Sequence, residues 1–208
     1  LQSNPELFII ISVALIFSLC FHEFSHAYIA YILGDDTAAN QGRLTLNPMS
    51  HLDPIGSIML LVVGFGYAKP VPVNPNKFSN PRTDMMKVAI AGPVSNLFLT
   101  LIACISMRII GVQNLTDYQS LGLVLYVFAT INMTLAIFNL IPVHPLDGGQ
   151  IFGGYLQKIN PNLEYKLRYE GPKYLLFIIL FGYVTGFSII GLIISPFHEI
   201  VAIVSGLR

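Results

Sequence analysis

The segment "LFIIISVALIFSLCFHEFSHAYIAYIL", residues Leu7–Leu33, decides the fold class of this chain. A helix needs about 20 mostly apolar residues to span the hydrocarbon core of a bilayer, and this segment is long enough. Its second half nevertheless holds His22, Glu23 and His26. Ionisable groups at membrane depth are costly to bury and usually serve a function. The segment therefore predicts a transmembrane helix that carries a functional site.

Composition points to a membrane protein throughout. Hydrophobic residues make up 54% of the 208 residues, charged residues make up 11%, and the mean hydropathy is +0.67. Soluble domains have a charged share of about 25%. The formal net charge is zero and the chain has no basic run, which argues against a nucleic-acid partner. The lipid bilayer is the expected environment.

Further apolar segments extend this pattern. Three are long enough to cross a bilayer, at residues 85–110, 121–142 and 174–194. The shorter segment at 55–67 contains glycines and predicts a re-entrant loop or β-hairpin. The tail after residue 195 either extends the last helix or lies at the membrane interface. We expect an all-α polytopic membrane protein with about four to five transmembrane helices plus this short segment, forming a single domain over residues 1–208.

The distribution of lysine and arginine predicts the orientation. These residues gather around the re-entrant segment and between residues 158 and 173, whereas residues 111–120 have none. Cytoplasmic loops carry an excess of positive charge, so we expect an outside N-terminus and a site close to the cytoplasmic side. The first residues lack the features of a cleavable signal peptide, so the first helix should be retained. A compact chain without appended domains favours a prokaryotic cell membrane.

The motif His-Glu-x-x-His gives the first helix its chemistry. Positions four apart in a helix share one face, so His22 and His26 can bind one ion. Catalytic zinc takes three protein ligands and a water molecule, and Glu23 lies where a general base would activate that water. The competing interpretation is an accidental match with hydrogen-bonded core histidines. The cost of a carboxylate inside a membrane favours the metal site.

Asp147 is the candidate third ligand. It lies in "FNLIPVHPLDGGQIFGGYL", where two prolines break the third spanning helix and two glycines allow close backbone approach. A carboxylate at such a break can reach a metal on another helix. The alternative is a helix N-cap, and both roles are compatible. The other acidic candidates are Asp35, Asp36, Asp53 and Asp84.

Together, HEFSH on an early helix and "NLIPVHPLDGG" on a later one resemble the site-2 protease family of intramembrane zinc metalloproteases. The segments "GRLTLNPMSHLDPIGS", "GYAKPVPVNP" and "AGPVSNL" resemble the intervening family motifs in the same order. The resemblance implies that His22, His26 and Asp147 bind one Zn²⁺ per chain and that Glu23 activates water. It also implies that a peptide bond within or beside a transmembrane helix of a membrane protein substrate is cut, in regulated intramembrane proteolysis.

Two residues near these motifs have open roles. Asn96 either donates to the developing oxyanion or substrate backbone, as a catalytic residue, or forms an interhelical hydrogen bond. His144 stands where many members of the family have proline, and it either approaches the zinc, bonds Asp147 or faces water. Other polar and sulfur-containing residues are expected to be structural: Asn132 and Asn139 between helices, His51 in a loop, His198 at the membrane interface, and Cys20 and Cys104 in the core.

Two other functions compete with intramembrane proteolysis. One is a non-proteolytic metal-binding carrier or inactive scaffold, and the other is a membrane-bound peptidase that cuts soluble peptides. An ion carrier would be expected to place polar residues along a path, whereas here the charges gather at one site. The sequence gives no indication of the oligomeric state.

Overall fold

The computed structural model describes residues 4–56, 68–111 and 121–207. Within these ranges the chain is helical and contains no β-strand, which confirms the all-α prediction. The long helices are α1 (Pro5–Ile32), α2 (Pro81–Ile110), α3 (Leu121–Asn139), α4 (Asp147–Ile159), α5 (Pro161–Thr185) and α6 (Ile189–Ser205). Single helical turns at Thr37–Asn40, Pro48–His51 and Pro75–Lys77 lie between α1 and α2.

Helices α1, α2 and α3 are each long and apolar enough to cross a membrane. They match the spans predicted at 7–33, 85–110 and 121–142. Helix α1 begins where Asn4 Oδ1 accepts a hydrogen bond from Leu7 N at 3.1 Å, and α2 ends at Gly111, whose φ of 75° suits glycine. Helix α3 ends three residues before Pro142, because proline cannot continue a helix hydrogen-bond ladder.

The fourth predicted span, at 174–194, is wrong in its extent. The chain turns between α5 and α6, and the two helices meet at 85°. Gly186 ends α5 in the left-handed conformation, and Ser188 Oγ caps α6 by accepting a hydrogen bond from Gly191 N at 2.9 Å. If the bent pair counts as one span, the described residues hold four candidate spans, and otherwise three.

The polar stretch before residue 174 is helical, although the sequence favoured a loop. Asn160 Oδ1 caps α5 by accepting from Leu163 N at 3.1 Å, with Pro161 at the first helical position. Glu164 and Arg168 then pair one turn apart, with 2.6 Å between carboxylate and guanidinium. These local interactions explain why α5 starts 13 residues before the apolar segment does.

Helix α2 occupies the centre of the bundle and packs against α1, α3, α4 and α6. Its buried side chains Ala103, Cys104 and Met107 contact buried residues of α3 and α6. Small residues such as Ala103 and Cys104 let membrane helices approach closely. Cys20 and Cys104 are both free and buried, which confirms that they are core residues.

The predicted re-entrant segment is described only at its ends, because residues 57–67 lie outside the described ranges. Leu52 and Ala68 form an antiparallel bridge, and Lys69 N donates a hydrogen bond to His51 O at 2.7 Å. Arg43 donates to Lys69 O at 2.5 Å. The two ends therefore lie side by side, as a segment that returns to its starting side requires.

Candidate active site

Three side chains converge beside α1 in the geometry of a metal site. His22 Nε2 and His26 Nε2 are 3.0 Å apart, and Asp147 Oδ2 lies 3.2 Å from the first and 3.4 Å from the second. Both histidines are buried, at 4% and 8% exposure. Ligands at about 2.0–2.1 Å around a tetrahedral zinc ion would be about 3.3 Å apart. The observed spacing fits such an ion.

The hydrogen bonds on the far side of each ring fix which nitrogen faces the cluster. His22 Nδ1 lies 2.6 Å from Asn96 Oδ1, and His26 Nδ1 lies 2.7 Å from Val88 O. Since these oxygens only accept, each Nδ1 carries the hydrogen and a neutral ring presents a lone pair at Nε2. The short contact between the two Nε2 atoms is therefore not a hydrogen bond.

This arrangement leaves electron pairs that need a cation. Asp147 Oδ2 is buried and has no hydrogen-bond partner within the described part of the chain. Buried polar atoms in proteins are almost always satisfied. Two imidazole nitrogens and one carboxylate oxygen form a donor set that suits catalytic zinc and leaves a position for water. The three residues therefore fit a zinc ion.

Gly92 on α2 provides the space that an ion needs. A Cβ atom built at this position would lie 2.5 Å from Nε2 of both His22 and His26. Any side chain here would therefore enter the space between the ligands. The sequence interpretation missed Gly92, because its significance comes from contact with a different helix.

Asp147 reaches the histidines from a tight loop between α3 and α4. It is the first residue of α4, but Leu146 occupies the N-cap position and no side chain of the described residues caps the helix. The N-cap interpretation of Asp147 is therefore wrong. A Cβ at Gly148 would collide with the backbone oxygens of Leu140 and Ile141, so glycine allows the loop to fold back closely enough to present the carboxylate.

The four other acidic candidates are engaged elsewhere. Asp35 accepts hydrogen bonds from Thr37 N and Asn74 N. Asp36 pairs with Lys77, which lowers the pKa of Asp36 through a hydrogen bond. The remaining two form local contacts, Asp53 with the backbone of Ile55 and Gly56 and Asp84 with Lys87.

Glu23 borders the same cavity as the metal cluster. The cavity measures about 620 Å³ and is lined by Glu23, both histidines and Asp147, with apolar side chains from α2, α3 and α5. Glu23 Oε2 accepts a hydrogen bond from Val71 N at 3.1 Å. The half-buried carboxylate is thus held by backbone beside the ligands, where a general base belongs. Asn139 and Gln150 also line this cavity.

Asn96 lies behind His22, fully buried. Its oxygen faces His22 Nδ1, and its Nδ2 donates to Asn132 Oδ1 at 2.8 Å. These are the interhelical hydrogen bonds of the second alternative, and the predicted oxyanion role stays a prediction. The sequence interpretation placed Asn132 between helices but did not link it to the site.

His144 is outside the metal cluster. Its Nε2 is buried and has no hydrogen-bond partner within the described residues. The ring lines a small cavity of about 10 Å³ together with Gly153 and Glu164, so this nitrogen lies away from the cluster of His22, His26 and Asp147 and is shielded from bulk solvent. Burial, followed by the Arg168 charge, lowers the pKa of His144. The sequence also suggested a hydrogen bond between His144 and Asp147, and this bond is absent from the described contacts.

The two remaining histidines make other contacts. His51 is buried and its Nε2 lies 2.7 Å from Thr45 O, in the loop region where it was expected. His198 is half-buried on α6, and its Nε2 lies 2.8 Å from Thr134 Oγ1 of α3. Neither histidine belongs to the cluster of His22, His26 and Asp147.

Comparison with known proteins identifies the family. Residues 106–182 match the model of peptidase family M50. YwhC of Bacillus subtilis (strain 168), whose name describes a zinc metalloprotease, is 42% identical over 174 residues, which cover 81% of this chain and 78% of that relative. The chain belongs to peptidase family M50. No solved structure matches.

More distant relatives are longer. Rip2 of Mycolicibacterium smegmatis is 29% identical over 167 residues, covering 78% of this chain and 62% of that protein. The zinc metalloprotease MJ0392 of Methanocaldococcus jannaschii is 26% identical over 206 residues, covering 95% of this chain and 49% of that protein. The resemblance to the site-2 protease family is thus confirmed, and this M50 protein is a zinc metalloprotease with membrane helices.

Proposed function

We propose that this M50 protein hydrolyses peptide bonds within or next to the transmembrane helices of membrane protein substrates, using one zinc ion per chain. The observation that carries the proposal is the position of the cavity. The ligands and Glu23 line a space bordered by α1, α2 and α3, each of which qualifies as a membrane span. A site enclosed by spanning helices is suited to a substrate that is itself in the membrane.

His22, His26 and Asp147 would hold the zinc ion, which supplies Lewis-acid chemistry and activates water when bound. Glu23 uses Oε2 to accept the Val71 N–H, which leaves Oε1 to take a proton from the attacking water. The same carboxyl group then returns the proton to the leaving amine. Its position on the turn between the two histidines keeps it beside the metal rather than among the ligands.

The extended segment around Val71 and Val73 is the proposed support for the unwound substrate. Both side chains line the cavity, and Val71 N and Asn74 N are held by Glu23 and Asp35. An extended segment can pair with a substrate strand through its backbone. Val73→Pro tests this without removing the hydrogen bond to Glu23. Unchanged cleavage by this variant would discard the pairing.

For location, we propose one membrane-embedded domain in a prokaryotic cell membrane, with the active site toward the cytoplasm. Bacterial relatives and the predicted orientation of the basic segments support this placement. A cysteine introduced at Lys158 should react with a membrane-impermeant thiol reagent only in inside-out vesicles. Reaction in right-side-out vesicles would reverse the orientation.

The experiment that tests the proposed function compares two substrates in detergent or liposomes. A model substrate with a transmembrane helix should be cut by the wild type and not by Glu23→Gln. The soluble portion of the same substrate should stay intact. Preferential cutting of the soluble portion would instead indicate a peptidase acting at the membrane surface. A Glu23→Gln variant that keeps full cellular function would favour the carrier or scaffold alternative.

A further inference from the structure

The two histidine ligands are oriented by acceptors of different kinds. His26 Nδ1 faces the backbone carbonyl of Val88 at 2.7 Å, and a carbonyl can only accept. His22 Nδ1 faces the side-chain amide of Asn96 at 2.6 Å. An amide can present either its oxygen or its nitrogen after a half-turn. Something beyond Asn96 must therefore fix which atom His22 meets.

A chain of hydrogen bonds supplies that control. Asn96 Nδ2 donates to Asn132 Oδ1 at 2.8 Å. Asn132 Nδ2 donates to Phe128 O at 2.9 Å and to Ser18 Oγ at 2.8 Å. The Ser18 hydroxyl donates its hydrogen to Ala14 O at 2.7 Å. Its oxygen can therefore only accept the hydrogen bond from Asn132. Both amide hydrogens of Asn132 are thus donated to Phe128 O and Ser18 Oγ, and this orientation of the amide places its oxygen toward Asn96.

The surroundings prevent this chain from being reversed or replaced by water. Ser18, Asn96 and Asn132 are each 0% exposed, and they come from α1, α2 and α3 respectively. Reversal would set the Asn132 oxygen against the Phe128 carbonyl, leaving buried groups unsatisfied. The direction of donation thus runs from His22 through the two amides to a backbone carbonyl that cannot change role.

We propose that Asn132, supported by Ser18, is a positioning residue of the metal site. By fixing Asn96, it keeps the hydrogen of the neutral His22 ring on Nδ1 and the lone pair on Nε2, the atom that faces the metal. The inference rests on the zinc site of the proposed function, but it concerns metal affinity and ring tautomer rather than cleavage.

Substitutions of the residues in this series of hydrogen bonds should lower zinc affinity to different extents. Asn132→Leu removes the shorter of the two contacts that hold Asn96 Nδ2, at 2.8 Å, and leaves the longer one to Ser18 O at 3.4 Å. Asn96 can then turn its nitrogen toward His22 more easily and favour the wrong tautomer. Loss of a partner that orients a metal ligand lowers metal affinity about 10–100-fold. Ser18→Ala leaves the hydrogen bond from Asn132 to Phe128 O in place, so zinc affinity should fall less than about tenfold in this variant.

Thr100→Val is the matched control. Thr100 is buried and links the same helices, α2 and α3, through its contact with Ala129 O at 3.3 Å. Its hydroxyl also lies 3.0 Å from the backbone oxygen of Asn96, one turn earlier on α2. Among the described hydrogen bonds it has none to His22, to Asn132 or to the side chain of Asn96. Its removal should leave the affinity for zinc unchanged, although it costs an interhelical hydrogen bond of similar type.

The test uses the full chain in detergent. Zinc affinity is measured by competition with a chelator, and ¹⁵N NMR reports the tautomer of His22 in the metal-free protein. We expect hydrogen on Nδ1 in the wild type, with a shift toward Nε2 and weaker zinc binding in Asn132→Leu. Hydrogen on Nε2 with none on Nδ1 in the wild type, or equal affinity in Asn132→Leu and Thr100→Val, would overturn the proposal.

Two features keep this test decisive. If Asn132→Leu does not fold, Ser18→Ala and the wild-type spectrum answer the same question. A wild type that binds zinc with the expected tautomer but cuts no membrane substrate would contradict the proposed function alone. Normal cleavage with no effect of Asn132→Leu on zinc affinity would contradict the positioning role alone.

Discussion

The two halves of the candidate metal site are built in different ways. His22 and His26 project from one uninterrupted helix, α1, and are buried against α2. Asp147 arrives from a loop that leaves α3 at Asn139 and folds back before α4. The first half depends on helix periodicity and the second on a close turn of backbone. One half is therefore set by local geometry, and the other by how tightly the loop packs.

The difference predicts where each half is vulnerable. The helix keeps its histidines in place, so the α1 half should be most sensitive to filling of the space between them. The loop keeps Asp147 in place only while its backbone can approach the end of α3. Each half can be tested by a glycine-to-alanine substitution, which adds one methyl group. Gly92 tests the helix half and Gly148 tests the loop half.

Gly92→Ala should have the largest effect. The new methyl group would lie 2.5 Å from both ligand nitrogens, so it competes with the ion for the same space. We expect zinc affinity to fall by more than about 100-fold and cleavage to disappear, while helicity measured by circular dichroism is kept. Gly154→Ala is the control, because the three atoms nearest to its methyl group all belong to the flexible side chain of Met86. Normal zinc content in Gly92→Ala would contradict the assigned ion position.

Gly148→Ala should have the second largest effect. Alanine in a helix is normally favoured over glycine by about 1 kcal/mol, but here its Cβ would meet the carbonyls of Leu140 and Ile141. The loop must move, and Asp147 with it. We expect zinc affinity to fall about 10–100-fold and the melting temperature to drop, as measured in detergent. A more stable variant with full zinc affinity would show that the loop is not constrained.

His144→Leu should have the smallest effect on the metal, because His144 lies on the loop but faces Glu164 and Gly153. Zinc affinity, measured by chelator competition, should remain within about threefold, well below the effect of losing a ligand-orienting partner. A larger loss would place His144 in the metal site after all.

The same variant gives a test of pH dependence. Burial lowers the pKa of His144 in the folded protein, so the unfolded chain binds its proton more readily. Stability from this group is therefore present above the unfolded value of about 6.5 and is lost as pH falls through it. Wild type should lose stability relative to His144→Leu between pH 7 and pH 5, as followed by thermal melts. Parallel melting curves would contradict the buried, neutral state.

The sequence was sufficient for features that depend on local periodicity. The spans α1 to α3, the shared face of His22 and His26, and the helix break that brings Asp147 near them all follow from spacing, hydropathy and helix-breaking residues. The bend after Thr185 was missed because apolar residues continue across it, although Gly186 and Ser188 provide the local caps. Continuous hydrophobicity concealed a change of direction.

Other features depend on contacts between distant segments. Ser18, Asn96 and Asn132 meet across three helices, and no spacing within one helix indicates that they do. The same is true of Gly92, whose role appears only where α2 passes His22 and His26. Helix packing decides these positions, and a single sequence does not specify the rotation of each helix about its axis.

The most direct test measures zinc content and cleavage of a transmembrane substrate by the wild type and Glu23→Gln. Glu23 lies beside the ligands without belonging to them, so both proteins should hold about one zinc per chain. Loss of the general base should slow cleavage about 100- to 10,000-fold. Equal cleavage by the two proteins would contradict the role of Glu23, and a wild type without zinc would contradict the metal site itself.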